Sequence, residues 1–210
     1  MNRVRVKFCG ITRTEDAHAA VNAGADAIGF VLTKRSKRFV DPSLAGEMRN
    51  ALPPFVSAVT LFSDDDERWV EKSIRDVQPT FLQFHGTETR GYCESFGVPY
   101  IKSIAMASAD GIHDAIAEHP NAVALLLDSH KPGENGGSGI AFDWNTVSKS
   151  LPKPMILAGG LTCDNVALAI RTVRPYAVDV SSGIESAPGI KDAEIMRRFI
   201  NEVRRASGDS

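Results

Sequence analysis

Cysteine is scarce in this sequence, and long apolar runs are absent. The three cysteines, Cys9, Cys93 and Cys163, are odd in number and lack the close spacing of zinc ligands. This pattern argues against a disulfide framework and against a metal site. No apolar run approaches the roughly 20 residues that a membrane-spanning helix needs. The N-terminal residues lead directly into strand-like sequence without a signal-peptide pattern, so we expect a cytoplasmic protein with no membrane partner.

An excess of charge of either sign is also missing. The formal net charge is -2 and the isoelectric point is 6.2, which gives no general attraction to nucleic acid. The arginines near the C-terminus alternate with apolar residues at helical spacing, as on a solvated helix face. Hydrophobic residues make up 43% of the chain and charged residues 24%, which is typical of a globular protein. We therefore expect a single domain over residues 1–210.

Eight strand-like segments alternate with helical patterns along the chain. The first ends at Cys9, and the others span 25–32, 55–62, 80–85, 98–104, 123–128, 153–158 and 175–181. This alternation predicts a parallel α/β sheet, and eight such units close into a (β/α)8 TIM barrel. A doubly wound open sheet is the alternative, but its G-x-G-x-x-G fingerprint does not follow the first strand.

Several helix boundaries also have sequence signals. Thr12 with Glu15 three residues later predicts a capping box for the first helix. Thr162 is the predicted N-cap of a later helix. A further helix is predicted from Trp144 to just before Pro152.

The end of the first strand combines a cation and a thiol. Lys7 and Cys9 share one face of the strand, while Phe8 points to the opposite face. Cys9 is either a small core residue, as most free cysteines are, or a reactive thiol whose pKa a nearby cation lowers. Lys7 is a candidate for that cation, and a structural pair between Lys7 and Asp179 is the alternative.

Barrel enzymes build their active sites at the carboxyl ends of the strands, where Asp128 and His85 also lie. Cys9 and Asp128 end the first and sixth strands, which places them on opposite sides of the barrel mouth, as an acid and a base would be. Partial burial behind three leucines would raise the pKa of Asp128, although a helix cap or an ion pair is the simpler alternative. From the residues alone, a solvated loop charge is the better explanation of Arg38, and a hydrogen-bonded structural histidine that of His85.

Glycine and serine follow the last two strands, at the loops that barrels commonly use to bind phosphate. Glycine there lets backbone N–H groups approach an oxyanion. Tight turns and helix caps are the alternative explanation. The predicted phosphate-binding residues are Gly159, Gly160, Ser181, Ser182 and Gly183, with Gly137, Ser138 and Gly139 closing over them.

These segments together resemble the phosphoribosylanthranilate isomerase family. The matching motifs are K-F-C-G-I-T at 7–12, A-G-A-D-A-I-G-F-V at 23–31, L-Q-F-H-G at 82–86, L-L-L-D at 125–128, L-A-G-G-L at 157–161 and D-V-S-S-G-I-E at 179–185. The resemblance implies a TIM barrel that catalyses an Amadori rearrangement in tryptophan biosynthesis. It also implies a small phosphorylated substrate, no cofactor and no metal.

The resemblance assigns roles to individual residues of this chain. Asp128 is implied as the general acid and Cys9 as the general base. Arg38 is implied to bind the anthranilate carboxylate, and His85 and Asp179 to contact the substrate. The assembly is expected to be a monomer or a homodimer, since the apolar loop 52–55 belongs either to the core or to an interface.

Two other functions compete with this assignment. The isomerase of histidine biosynthesis performs the same rearrangement in a similar barrel, but it typically has an aspartate where Cys9 stands. A barrel that binds phosphate without catalysis is the second alternative. Cys9 argues against the first alternative, and Cys9 and Asp128 together argue against the second.

Overall fold

A closed parallel barrel forms the centre of the computed structural model, which describes residues 3–105, 110–128, 144, 147 and 151–208. Each strand pairs with the next, and β8 pairs with β1. The strands are β1 Arg5–Cys9, β2 Ala27–Val31, β3 Ser57–Phe62, β4 Phe81–Phe84, β5 Tyr100–Ala105, β6 Ala124–Asp128, β7 Met155–Leu157 and β8 Ala177–Val180. The predicted TIM barrel is confirmed. Most predicted strands are slightly too long, because apolar residues beyond the ladder also pack into the core.

Helices connect the strands and cover the outside of the barrel. They are α1 Thr14–Ala23, α2 Pro42–Asn50, α3 Glu67–Val77, α4 Arg90–Ser95, α5 Asp110–Glu118, α6 Val166–Val173 and α7 Ala193–Ser207. The helix predicted from Trp144 lies largely outside the described residues. None of the helices in the described ranges has the length and apolar character needed to cross a bilayer.

Alternating side chains of the strands build two apolar clusters. Outward-facing residues pack against the helices, as Phe8 does against Phe199 of α7 with ring centroids 6.1 Å apart. Inward-facing residues fill the barrel and include Val59, Ile101, Leu126, Ile156 and Ala177. The predicted division of β1 is confirmed, since Phe8 belongs to the outer cluster while Lys7 meets Asp179 of β8.

A short antiparallel hairpin between β8 and α7 was not predicted from the sequence. It consists of β9 Glu185–Ala187 and β10 Ile190–Lys191, and we call residues 185–191 the hairpin. The Thr12 hydroxyl donates to the carbonyl of Gly189 at 2.6 Å. The backbone N–H of Lys191 donates to the Asp16 carboxylate at 3.1 Å. The hairpin is therefore fixed to the loop that follows β1 and to the first turn of α1.

Both predicted threonine caps are wrong. The N-cap of α1 is Arg13, one residue later than predicted, and its side chain makes no capping bond. The Thr12 hydroxyl donates to the Gly189 carbonyl instead. Helix α6 begins at Val166, so Thr162 precedes it by a full turn, and its hydroxyl accepts from the Asp164 N–H at 3.3 Å. Contacts distant in sequence and an extra turn displaced the locally expected caps.

The apolar loop before β3 divides between the core and the surface. Leu52 packs against the outer cluster, whereas Phe55 is fully exposed and has a positive φ of 71°. The sequence predicted that the third strand begins at Phe55, but it begins at Ser57.

Candidate active site

Cys9 is buried at the carboxyl end of β1, with only 5% of its surface exposed. Gly29 of the neighbouring strand leaves the space for it, since an added Cβ there would lie 2.8 Å from the Cys9 Sγ and 3.0 Å from the Lys7 Nζ. Burial raises the pKa of the Cys9 thiol, and the positive charge of Lys7 opposes this rise. Lys7 thus lowers the pKa as predicted, but burial outweighs it.

Lys7 forms a buried ion pair across the junction of β1 and β8. Its Nζ donates to the Asp179 Oδ1 at 2.9 Å, and both side chains are almost fully covered. Burial works against the charged amine, but the charges of Asp179 and Cys9 exceed that effect and raise the pKa of Lys7. The pair that the sequence offered as the structural alternative is therefore present, and Lys7 also neighbours Cys9.

Asp128 ends β6 and lies beside His85, which follows β4. The His85 Nε2 is 3.7 Å from the Asp128 Oδ2. The Gln83 amide nitrogen lies 3.3 Å from the His85 Nδ1 and also donates to the Ser103 hydroxyl at 3.3 Å. When the amide donates to Nδ1, the imidazole proton is on Nε2 and faces Asp128. The sequence predicted both residues at the carboxyl ends of the strands, but it did not predict that they lie close together.

Arg38 is paired rather than solvated. Its Nε and Nη2 donate to the two carboxylate oxygens of Glu185 at 2.7 and 2.8 Å, and only 17% of its side chain is exposed. The alternative of a solvated loop charge is therefore wrong. Within the described ranges, the Arg38 Nη1 makes no hydrogen bond. A planar carboxylate could still bind across Nη1 and Nη2.

The loop that carries Arg38 is held by the neighbouring connection after β3. The Trp69 indole N–H donates to the carbonyl of Leu32 at 2.9 Å, and the Lys34 Nζ lies 4.1 Å from the centre of the Trp69 ring. The Thr33 hydroxyl donates to Asp65 at 2.5 Å. These contacts fix the start of the loop, residues 32–34.

The turns after β7 and β8 meet each other. Gly159 and Gly160 have positive φ values of 82° and 62°, which favour glycine. Gly183 packs so closely on the carbonyl of Leu161 that a Cβ would collide with it. The chain after Ser181 forms a 3₁₀ turn over Ser182–Ile184. The predicted residues Gly137, Ser138 and Gly139 lie outside the described residues.

Two charged residues near Cys9 were missed in the sequence. Glu185 and Lys191 lie on the hairpin and form an ion pair of 2.8 Å, with side chains that are 6% and 0% exposed. Burial lowers the pKa of Lys191, although its hydrogen bond to Glu185 and the charge of Glu185 act in the opposite direction. Burial works to raise the pKa of Glu185, but the hydrogen bonds from Arg38 and Lys191 outweigh it and keep that pKa below its usual value. The Pro188-Gly189 turn signal between two short segments could have revealed the hairpin.

No metal site is evident in the described part of the chain. No group of three or more histidine, cysteine, aspartate or glutamate residues there is arranged to hold a metal ion. The arrangement instead offers one proton-transfer group, Cys9, beside the cations Lys7, Arg38 and Lys191, and a second one, Asp128, beside His85.

Residues 6–202 match the family model described as N-(5'-phosphoribosyl)anthranilate (PRA) isomerase. The chain belongs to this family. The phosphoribosylanthranilate isomerases are aldose–ketose isomerases of tryptophan biosynthesis, and this chain is an enzyme of that kind. The resemblance found in the sequence motifs is confirmed.

Individual phosphoribosylanthranilate isomerases match nearly the whole chain. The protein from Pseudomonas fluorescens is 50% identical over 204 residues, which cover 97% of this chain and 100% of the relative. The crystal structure of the Thermotoga maritima protein has a TM-score of 0.86 at 36% identity and covers 96% of this chain and 99% of that one. Another structure, with a TM-score of 0.82 at 34% identity and the same coverage, is a complex with reduced 1-(o-carboxyphenylamino)-1-deoxyribulose 5-phosphate.

Proposed function

We propose that this chain converts N-(5-phosphoribosyl)anthranilate to 1-(2-carboxyphenylamino)-1-deoxyribulose 5-phosphate by general acid–base catalysis. The observation that carries the proposal is the position of Cys9 and Asp128 at the ends of β1 and β6 in one closed barrel. The buried cations beside Cys9 add a binding region for an anionic substrate.

In the first step, Asp128 donates a proton to the furanose ring oxygen. The bond between C1 and that oxygen breaks, and the nitrogen lone pair forms the C1=N bond of a Schiff base. His85 lies 3.7 Å from Asp128 and supports this step by orienting the carboxyl group.

In the second step, the thiolate of Cys9 removes the proton from C2. The electron pair of that C–H bond forms C1=C2, and the former C1=N electrons return to nitrogen, giving an enolamine. The enolamine then tautomerises to the ketone: C1 gains a proton, and the C2 hydroxyl loses its proton to solvent as the C2=O bond forms. The substrate nitrogen is the electron sink throughout, so a positioned acid and base suffice without a cofactor.

The remaining residues bind the two ends of the substrate. Arg38 binds the anthranilate carboxylate through its terminal nitrogens, and the turns 159–160 and 181–183 bind the phosphate with backbone N–H groups. Gly137, Ser138 and Gly139 remain predicted phosphate ligands. Asp179 acts through its ion pair with Lys7, beside Cys9, and the enzyme is expected in the cytoplasm as a monomer or a homodimer.

A fluorescence assay tests this function. Freshly generated phosphoribosylanthranilate should lose its anthranilate-type fluorescence rapidly when the wild-type chain is added. Stable fluorescence, together with isomerisation of the aminoimidazole carboxamide ribotide of histidine biosynthesis, would show that the proposed substrate is wrong. Stable fluorescence without any turnover would instead favour a barrel that only binds phosphate.

A further inference from the structure

The carboxylate of Glu185 is saturated with donors. Its Oε1 accepts from the Arg38 Nε at 2.7 Å, the Lys191 Nζ at 2.8 Å and the Gly189 N–H at 3.2 Å. Its Oε2 accepts from the Arg38 Nη2 at 2.8 Å. Since the side chain of Glu185 is only 6% exposed, these contacts hold it in one place and Arg38 with it.

Lys191 continues the same network toward the turn after β8. Its side chain is fully covered, and its Nζ also donates to the Ser181 carbonyl at 3.0 Å and to the Ser181 hydroxyl at 3.3 Å. Arg38, Glu185, Lys191 and Ser181 are therefore joined by consecutive hydrogen bonds. This network connects the predicted carboxylate end of the site to the predicted phosphate end.

Gly10 provides the space for this arrangement beside Cys9. Its φ is +71°, and an added Cβ would lie 2.6 Å from the Arg38 Cδ and 3.0 Å from the Ser181 Oγ. Arg38 and Ser181 thus pack against the residue that directly follows Cys9. The distance between Arg38 and Ser181 is therefore set next to Cys9.

We propose that Glu185 is a positioning residue for Arg38. Lys191 holds Glu185, and Glu185 fixes Arg38 relative to the turn at Ser181. The site thereby selects substrates with a carboxylate on the aromatic ring. Two cations share one carboxylate in this network, which leaves one positive charge for the substrate. The inference rests on the proposed function, in which Arg38 binds the anthranilate carboxylate. It adds the hairpin as the element that sets this specificity.

Two reduced product analogues test the inference by binding alone. One carries the o-carboxyphenylamino group and the other a phenylamino group, and both carry the same phosphate. The wild type should bind the carboxylated analogue more tightly than the other. Glu185→Gln should raise the dissociation constant of the carboxylated analogue by about tenfold to a hundredfold, because the charged hydrogen bonds that hold Arg38 are weakened. The dissociation constant of the other analogue should change little. Calorimetry gives both dissociation constants, and Glu185→Asp keeps the charge if the amide variant folds poorly.

Glu88→Gln is the matched control, because Glu88 is also buried and paired with a lysine, Lys102, at 3.1 Å. It should leave the ratio of the two dissociation constants at the wild-type value. A ratio that is unchanged in both Glu185 variants, or that changes equally in Glu88→Gln, would overturn the inference. A wild type that shows the preference without turnover would refute the proposed function but not the role of Glu185.

Discussion

The two sides of the barrel mouth differ in charge. They also differ in which groups their buried ion pairs keep in place. On the Cys9 side, the three cations Lys7, Arg38 and Lys191 face two carboxylates, those of Asp179 and Glu185. Across the mouth, in the part of the chain that the structure describes, the Asp128 carboxyl group lies 3.7 Å from His85. Lys102 of the neighbouring strand is paired with Glu88. The excess of cations suits the anionic ends of the substrate, while the other side suits donation of a proton to a neutral ring oxygen.

The two buried lysine–glutamate pairs show the same difference at closer range. Glu88 accepts from the backbone N–H groups of Asp64 and Gly86 at 2.9 and 3.0 Å, and Lys102 donates to the Gly86 carbonyl at 2.6 Å. This pair holds loop backbone in place. The pair of Glu185 and Lys191 holds a charged side chain, Arg38, at the mouth. One pair is therefore structural, while the other acts on the site.

The largest expected effect comes from removing either proton-transfer group. Cys9→Ala and Asp128→Asn should each lower kcat by about 10²-fold to 10⁴-fold or more, because each removes one general acid or base. Affinity for the reduced product analogue should stay within about threefold, since few binding contacts are lost. Steady-state kinetics and calorimetry measure the two quantities. Equal loss of affinity and rate in Cys9→Ala would mean that the thiol is structural.

Arg38→Met should act on binding more than on chemistry. We expect KM for phosphoribosylanthranilate to rise by about tenfold to a hundredfold, because a charged hydrogen-bonded contact to the carboxylate is lost. The matched control is Arg35→Met in the same loop, since Arg35 is half-exposed and bonds Ser63. If both variants raise KM equally, the loop charge rather than the position of Arg38 attracts the substrate.

Lys102→Met should reduce stability without changing specificity. The free energy of unfolding should fall by about 3–5 kcal/mol, because Glu88 is left buried without its cation. Urea denaturation measures this loss. The double variant Lys102→Met with Glu88→Leu should recover only part of it, since the N–H groups of Asp64 and Gly86 lose their acceptor. Complete recovery would contradict the structural role assigned to Glu88.

Lys7→Met should produce the smallest change at the reacting groups, an upward shift of the Cys9 pKa. Lys7 opposes the rise that burial causes, and its removal also leaves the Asp179 carboxylate uncompensated beside the thiol. The pH at which Cys9 alkylation is half-maximal should therefore increase, with less thiolate at any given pH. Mass spectrometry of the Cys9 peptide separates this thiol from Cys93 and Cys163. An unchanged profile would refute the role of Lys7.

The barrel and the strand ends could be predicted because both follow from local hydrophobic periodicity. Cys9, His85 and Asp128 were found for this reason. The Thr12 cap is wrong because the helix starts one residue later, and the Thr12 hydroxyl instead donates to Gly189, which lies 177 positions away in sequence. Glu185 was missed for a related reason, since its partner Arg38 is 147 positions away. Pairing across such distances depends on the closed barrel and has no local signal.

The most direct test of the account is a crystal structure of this chain with reduced 1-(o-carboxyphenylamino)-1-deoxyribulose 5-phosphate. We expect the carboxylate on the terminal nitrogens of Arg38 and the phosphate on the turns at 159–160 and 181–183. The Cys9 Sγ and an Asp128 oxygen should lie on opposite sides of C1 and C2. A ligand with its carboxylate away from Arg38, or with Cys9 out of reach of both carbons, would contradict it.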